Sequence, residues 1–241
     1  MAREVRTLLI VDNSATTLFY WGMLLKRLDY KVVSKRSAEA ALQVMESAMP
    51  AVVLTDIPLS GGMDGVALLR TIKDEPRYRD IPVVMLTTVD DPALKETCMR
   101  LGCAAWLGKD VEPDVLYETL QSLSETMPRH HIRLNTSLKV IVGDCTVAGG
   151  SERTEYASAI SEGGLYVRTQ YPQPQNALTP VRILLDGGEV RAKAVVLYSY
   201  AKNEGPYQEP GMGIKFVEIS DQDRRLIRQF IKEQLTQGIA H

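Results

Sequence analysis

The first half of the chain alternates short, continuous apolar runs with longer stretches in which apolar residues recur at helical spacing. The runs TLLIVD (7–12), KVVS (31–34), AVVLTD (51–56), PVVMLTT (82–88) and AAWLGK (104–109) predict strands. They are rich in Val, Ile and Leu with no polar alternation, as expected of strands covered on both faces. Helices are predicted near 14–28, 37–48, 64–74, 92–101 and 113–124. Ser14, Ser37 and Asp64 stand at N-cap positions, and Pro92 and Pro113 fall in first turns, where proline is tolerated. Five βα units imply a doubly wound parallel sheet with right-handed crossovers. Such a sheet places its ligand chemistry at the carboxyl ends of the strands. Asp12, Asn13, Asp56, Thr87 and Lys109 all lie at or just past a predicted strand end.

The pattern changes after about residue 125. LKVIV (138–142), GLYVR (164–168), VRILL (181–185), EVRAKAVVLY (189–198) and MGIKFVEI (212–219) are strand-like and separated by Gly-, Pro- and Asn-rich turns. In Val190, Arg191, Ala192, Lys193 and Ala194 small apolar residues alternate with charges, the mark of a half-buried strand. No helix long enough for a crossover separates these strands, so an antiparallel barrel or sandwich follows. One helix ends the chain, with Asp221 or Asp223 as its cap and Leu226, Ile227, Phe230, Ile231 and Leu235 as its apolar stripe. Two domains are expected, residues 1–125 and 129–241, joined by a short linker.

Composition narrows the class without choosing a function. The 241 residues are 45% hydrophobic and 24% charged, ordinary for a globular protein. No stretch approaches membrane-spanning length, and the first residues are too short an apolar run for a signal peptide, so a cytoplasmic protein without membrane insertion is expected. Residues 1–128 carry 14 basic and 18 acidic side chains and residues 129–241 carry 14 and 12, so neither half has the basic excess of a non-specific nucleic-acid binder. Cys98, Cys103 and Cys145 lack metal-ligand spacing and read as reduced thiols.

Asp12, Asp56, Thr87 and Lys109 form a set of parts for phosphoryl chemistry. An aspartate can accept a phosphoryl group when a divalent cation neutralises the incoming oxygens. Magnesium takes hard oxygen donors and keeps several waters, so one or two carboxylates and a backbone carbonyl suffice. A hydroxyl and an ammonium can then bind phosphoryl oxygens.

Residues 5–124 resemble the response-regulator receiver family through VDNS (11–14), LTDIPLSGGMDG (54–65), MLTT (85–88) and GCAAWLGK (102–109). The resemblance implies a flavodoxin-like fold and a sensor histidine kinase as phosphoryl donor. It makes Asp56 the phosphoacceptor, Asp12, Asn13 and the Pro58 carbonyl its partners in a Mg2+ site, Thr87 the switch hydroxyl and Lys109 the conserved-type lysine. Four positions depart from the family pattern. Asn13 replaces a second acid, removing a charge worth up to about 4 kcal/mol at 4 Å in an effective dielectric of 20. The loop after Asp56 is one residue longer and lacks a proline, Asp110 follows Lys109 where proline is usual and could compete for it, and Trp106 occupies the aromatic switch position with extra bulk.

Past the linker stand Arg129 and Arg133, four apart, and later the small-residue turn Ala159-Ile160-Ser161-Glu162-Gly163-Gly164. A guanidinium can bond guanine O6/N7 or grip a phosphate bidentately, and glycine lets backbone approach a ligand closely. Here the second half resembles the PilZ family of cyclic-di-GMP receptors. Arg129 and Arg133 match its RxxxR element, and Ser161 and Gly164 match part of (D/N)xSxxG, with Ala159 at the first position. EVRAKAVVLYS (189–199) and GMGIKFVEISDQDRRLIRQF (211–230) are similar to its late strands and final helix. The loss of one hydrogen bond at Ala159 costs about 0.5–1.5 kcal/mol, which implies weakened rather than abolished binding. His130 and His131 read as surface residues.

The expected protein is a non-enzymatic response regulator. Its receiver is phosphorylated on Asp56, its PilZ-type barrel binds cyclic-di-GMP through Arg129, Arg133, Ser161 and Gly164, and it signals to a downstream protein that no residue identifies. Ligand capture beside the linker would couple the two halves. The competing reading is a docking scaffold with a degenerate receiver and a barrel that binds no nucleotide. A DNA-binding output would need a helix-turn-helix that the second half does not show. No residue decides whether the chain forms a homodimer.

Overall fold

The computed structural model describes residues 5–143, 152–204 and 208–239. The chain divides into two compact units, with the break between His130 and His131.

In the first unit β1 (Thr7–Val11), β2 (Lys31–Lys35), β3 (Val52–Thr55), β4 (Val83–Thr87) and β5 (Ala105–Gly108) form a parallel sheet in the order β2-β1-β3-β4-β5. The intervening helices are α1 (Ala15–Arg27), α2 (Ala38–Ser47), α3 (Gly65–Asp74), α4 (Pro92–Arg100) and α5 (Pro113–Ser124). β3 and β4 are buried along their whole lengths, which is why their sequences show no polar alternation. Leu9, Val11, Val53, Val83 and Met85 of the sheet pack with Ala41, Met45, Leu68, Leu69 and Ile72 of the helices. Each such large side chain contributes about 1.5–3 kcal/mol by leaving water. Ser14, Ser37, Asp64 and Asp91 cap their helices by accepting a hydrogen bond from a first-turn backbone N–H. Cys98 and Cys103 are free, buried thiols, and burial pushes both up from the ordinary thiol range. Cys145 lies outside the described residues.

The second unit is a closed antiparallel barrel in the order β10-β11-β8-β7-β6-β9. Its strands are β6 (Leu134–Val142), β7 (Arg153–Ser161), β8 (Gly164–Arg168), β9 (Leu178–Leu185), β10 (Gly188–Tyr200) and β11 (Gly211–Ile219), followed by α6 (Asp221–Thr236). Closure leaves no free sheet edge. Val140, Ala157, Val167, Val181, Ile183, Val190, Ala194, Val196 and Ile214 fill the core. Ile227, Phe230, Ile231 and Leu235 form the buried face of α6, while Leu226 is half-buried.

Three sequence expectations need correction. β7 was not expected as a strand, because RTEYASAIS carries few large apolar residues, yet its small alanines face the tight barrel interior. The residues read as a turn, Ala159–Gly164, are instead the end of β7, a two-residue turn at Glu162-Gly163 and the start of β8. The cap of α6 is Ser220 rather than Asp221 or Asp223. Its hydroxyl accepts from the Asp223 N–H at 3.0 Å and donates to the Asp223 carboxylate at 2.7 Å, a reciprocal arrangement that places the aspartate in the first turn. Among the described residues of this unit α6 is the sole helix, and no described helix is long and apolar enough to cross a membrane.

Candidate functional site

Four strand ends of the first unit supply the groups of the phosphoryl-type site. Asp12 follows β1, Asp56 follows β3, Thr87 ends β4 and Lys109 follows β5. Lys109 Nζ lies 2.6 Å from Asp12 Oδ2 and 2.5 Å from Asp56 Oδ2, the latter 53 residues away in sequence. Asp12, Asp56 and Thr87 are 2, 4 and 2% exposed. The remaining oxygens are held by backbone: Asp12 Oδ1 accepts from the Ser14 N–H at 2.8 Å and Asp56 Oδ1 from the Ile57 N–H at 2.7 Å. The Thr87 hydroxyl accepts from the Val89 N–H, and the Thr87 carbonyl accepts from the Lys109 N–H, both at 3.2 Å. Burial alone pushes the Lys109 ammonium down, but the hydrogen bonds and charges of Asp12 and Asp56 outweigh it and hold the group above the ordinary lysine range.

Two ionised carboxylates facing one ammonium leave one negative charge uncompensated in a buried pocket. A small divalent cation fits that imbalance and that donor set. Asp12 and Asp56 would be its side-chain ligands, with carbonyls nearby and water completing the shell. Among the described residues no group of three or more His, Cys, Asp or Glu side chains gathers to hold a metal, so any such site depends on backbone and water as well.

The four departures have definite structural consequences. Asn13 is half-buried, and its backbone carbonyl accepts from Arg36 Nη2 at 2.9 Å, so a guanidinium lies at the rim where the sequence lacks an acid. The lengthened loop after Asp56, which includes the exposed Pro58, is pinned to the start of α2. Ser60 bridges to Ser37, the Gly62 N–H donates to Glu39 Oε1 at 3.1 Å, and Gly61 takes a φ of 108° that a side chain would strain. Asp110 does not draw Lys109 away: its carboxylate folds back over Gly108, while Lys109 pairs with Asp12 and Asp56. Trp106 is half-buried and packs against the core.

Gly65 was not singled out by the sequence, yet the site depends on it. A Cβ there would lie 2.0 Å from the Asp56 carbonyl oxygen, because the first turn of α3 passes directly beneath the loop that carries Asp56. The glycine after the Asp64 cap was the available signal.

The nucleotide-type residues divide between the two units. Arg129 is half-buried in the first unit, its backbone N–H donating to Gln121 Oε1 at 3.1 Å. Gln121, fully buried on α5, also donates to the Tyr30 hydroxyl at 2.6 Å; it too was missed, although an amide within an apolar helical stripe is a visible signal. Arg133 is exposed just before β6 in the second unit. Ser161 Oγ donates to the Gly164 carbonyl at 3.0 Å, and a Cβ on Gly164 would lie 2.1 Å from the Ile214 carbonyl oxygen. The hairpin thus needs glycine at 164 for packing on β11, whether or not a ligand is bound. Ala159 is buried and pairs with Asn135 on β6. His130 and His131 are exposed.

Comparisons with known proteins divide along the same line. A family model described as the response regulator receiver domain matches residues 8–121, and one described as the PilZ domain matches residues 128–233. The chain is 30% identical over 116 residues to chemotaxis protein CheY1 of Helicobacter pylori, covering 47% of this chain and 93% of that protein. It is 27% identical over 117 residues to response regulator PleD of Caulobacter vibrioides, covering 48% of this chain but only 26% of that one. A crystal structure of Vibrio cholerae CheY4 aligns with a TM-score of 0.47 at 26% identity, covering 50% of this chain and 99% of that one. The first half thus has relatives that consist of little else as well as relatives several times its length. The chain belongs to the response-regulator receiver family, with a PilZ domain as its second half.

Proposed function

We propose that this protein is a response regulator phosphorylated on Asp56 and read out through cyclic-di-GMP binding by its PilZ domain. The observation that carries the first part is the buried convergence of Asp12 and Asp56 on Lys109. Asp56 Oδ attacks the phosphorus of a kinase phosphohistidine; the P–O bond forms as the P–N bond breaks, and the electron pair leaves with the histidine. Lys109 then exchanges its contact with the free carboxylate for one with a phosphoryl oxygen, and the Thr87 hydroxyl binds another. A bound Mg2+ would supply the charge neutralisation that lets an anionic nucleophile meet an anionic phosphoryl group. Gain and loss of its own phosphoryl group is the sole chemistry this reading asks of the chain. It places the protein in the cytoplasm with its kinase.

Arg129, Arg133, Ser161 and Gly164 are the residues assigned to cyclic-di-GMP, supported by the match of residues 128–233 to the PilZ model. If ligand capture and phosphorylation share a conformational equilibrium, each must change the other's affinity by the same factor. The deciding experiment is calorimetric titration of the full chain with cyclic-di-GMP. Arg129→Ala and Arg133→Ala serve as controls, and the titration is repeated with a beryllofluoride phosphoryl mimic at Asp56. Binding lost in both variants supports the reading, and equal affinities with and without the mimic remove the coupling.

A second reading has its own support in Asn13, which removes an acidic charge from the receiver site, and in Ala159, which offers no side-chain hydrogen bond in the barrel. On that reading the chain is a docking protein for an unidentified partner, whether alone or as a homodimer. Absence of heat with cyclic-di-GMP together with absence of phosphoryl transfer from acetyl phosphate would favour it.

A further inference from the structure

The turn between β7 and β8 is gripped from outside the strands that form it. Glu162, at the tip between Ser161 and Gly164, faces α6. Arg228 Nε donates to its Oε1 at 3.0 Å and Arg228 Nη2 to its Oε2 at 2.8 Å, a bidentate pair. One turn earlier on α6, Arg224 Nη1 donates to the Glu162 backbone carbonyl at 3.2 Å. Both guanidiniums therefore hold a single residue, one through its side chain and one through its main chain. The Glu162 side chain is 13% exposed, whereas its partner Arg228 is 55% exposed and reaches in from the solvent side. The Arg228 hydrogen bonds hold its carboxyl below the usual range against the upward pull of burial, and the charges of Arg228, His131 and Arg224 add to them.

The next residue is confined as well. The Gly163 carbonyl accepts from the Phe216 N–H of β11 at 2.9 Å, and a Cβ on Gly163 would press within 3.2 Å of the His131 ring. The tip is thus bordered by α6, by β11 and by His131. A two-residue turn has few contacts of its own to order it, since each residue fixed costs about 1–2 kcal/mol of backbone entropy.

We infer that Glu162, clamped by Arg228 and Arg224, is the positioning residue that holds the β7–β8 turn, so that Ser161 and Gly164 are presented to a cyclic-di-GMP ligand in one geometry. The inference rests on the proposed dinucleotide binding for its ligand, but its structural half is independent of it. Glu162 does not itself touch the ligand on this account. Ala159 makes such positioning more consequential: where one ligand hydrogen bond is missing, the remaining contacts depend more on not having to order the turn at the moment of binding. The same clamp ties α6 to the turn.

The test uses the full chain with Glu162→Gln, Arg228→Ala and the double variant. Two measurements are made: amide hydrogen exchange over residues 162–165 without ligand, and calorimetric affinity for cyclic-di-GMP. Each single variant should speed local exchange and weaken affinity by about tenfold, the loss of one charge-assisted pair. The double variant should be no worse than either single, because both remove one interaction. Glu162→Gln keeps the shape of the side chain, and melting temperature reports any global loss of fold. Unchanged exchange in the single variants overturns the clamp. Faster exchange with unchanged affinity overturns its role in presenting the ligand, and additive losses would show that the two residues act separately. If the unaltered protein binds no cyclic-di-GMP, the functional reading fails, and the exchange data alone decide whether Glu162 orders the turn.

Discussion

The two halves of the chain assemble their polar groups in opposite ways. In the receiver, buried side chains from three strand ends are already paired: the Lys109 ammonium lies within 2.6 Å of a carboxylate oxygen of both Asp12 and Asp56. In the PilZ domain, Arg133 is exposed, Ser161 bonds within its own hairpin, and Ala159 offers no polar group. On the proposed function, the contrast follows from the task. A phosphoryl acceptor needs its charges preorganised and shielded from water, where electrostatic interactions are strongest. A site for a large, soluble dianion can keep its guanidiniums solvated until the ligand arrives, and then depends on how well the backbone around it is held.

The sharpest way to break the contrast is to disturb the backbone of the receiver site. Gly65→Ala puts a methyl group into the Asp56 carbonyl. We expect a loss of about 3 kcal/mol or more in urea unfolding, as for other forced backbone displacements, together with loss of phosphoryl transfer from acetyl phosphate. Wild-type stability would show that the loop carrying Asp56 is free to move, and the two sites would no longer differ in rigidity.

Lys109→Met comes next. It leaves two buried carboxylates facing each other and should cost about 3 kcal/mol at neutral pH without divalent metal, with Mg2+ restoring part of the loss. The pH dependence has a definite sign. Because Lys109 titrates above its unfolded value of about 10.4, its contribution is complete below that pH and is lost as pH rises through the higher folded value. The alkaline limb of the stability profile should therefore flatten in Lys109→Met.

Smaller effects sharpen the comparison. Ala159→Asn should tighten cyclic-di-GMP binding by about three- to tenfold, one added hydrogen bond on a neutral group. No change would place position 159 outside the ligand site. Asn13→Asp should raise Mg2+ affinity, measured by tryptophan fluorescence, by a few-fold at most, since the Arg36 guanidinium bound to the Asn13 carbonyl offsets part of the added charge at the rim.

Much of the receiver site could be read along the chain because it is built at strand ends, and strand ends are visible as the points where an apolar run stops at Asp12, Asp56, Thr87 or Lys109. The barrel was less legible. β7 escaped because the alanines that suit a crowded interior look neither apolar nor alternating enough to mark a strand, and the motif read as a small-residue turn is mostly two strands. Gln121 was passed over because it matters through Tyr30, 91 residues away, and Gly65 because its need is set by how closely the start of α3 packs against the Asp56 carbonyl.

By itself the amino-acid pattern determined the two-part division, the order and type of nearly all elements, the parallel sheet and the identity of the groups at its strand ends. These follow from local periodicity and from chain-wide rules of handedness and closure. Tertiary structure alone decided that Lys109 pairs with both acids rather than with Asp110, that Gly65 lies beneath Asp56, and that Arg224 and Arg228 reach back more than sixty residues to Glu162. Such pairings depend on which surfaces packing brings together, and nothing in the spacing of residues along one strand or helix encodes the neighbour across the gap.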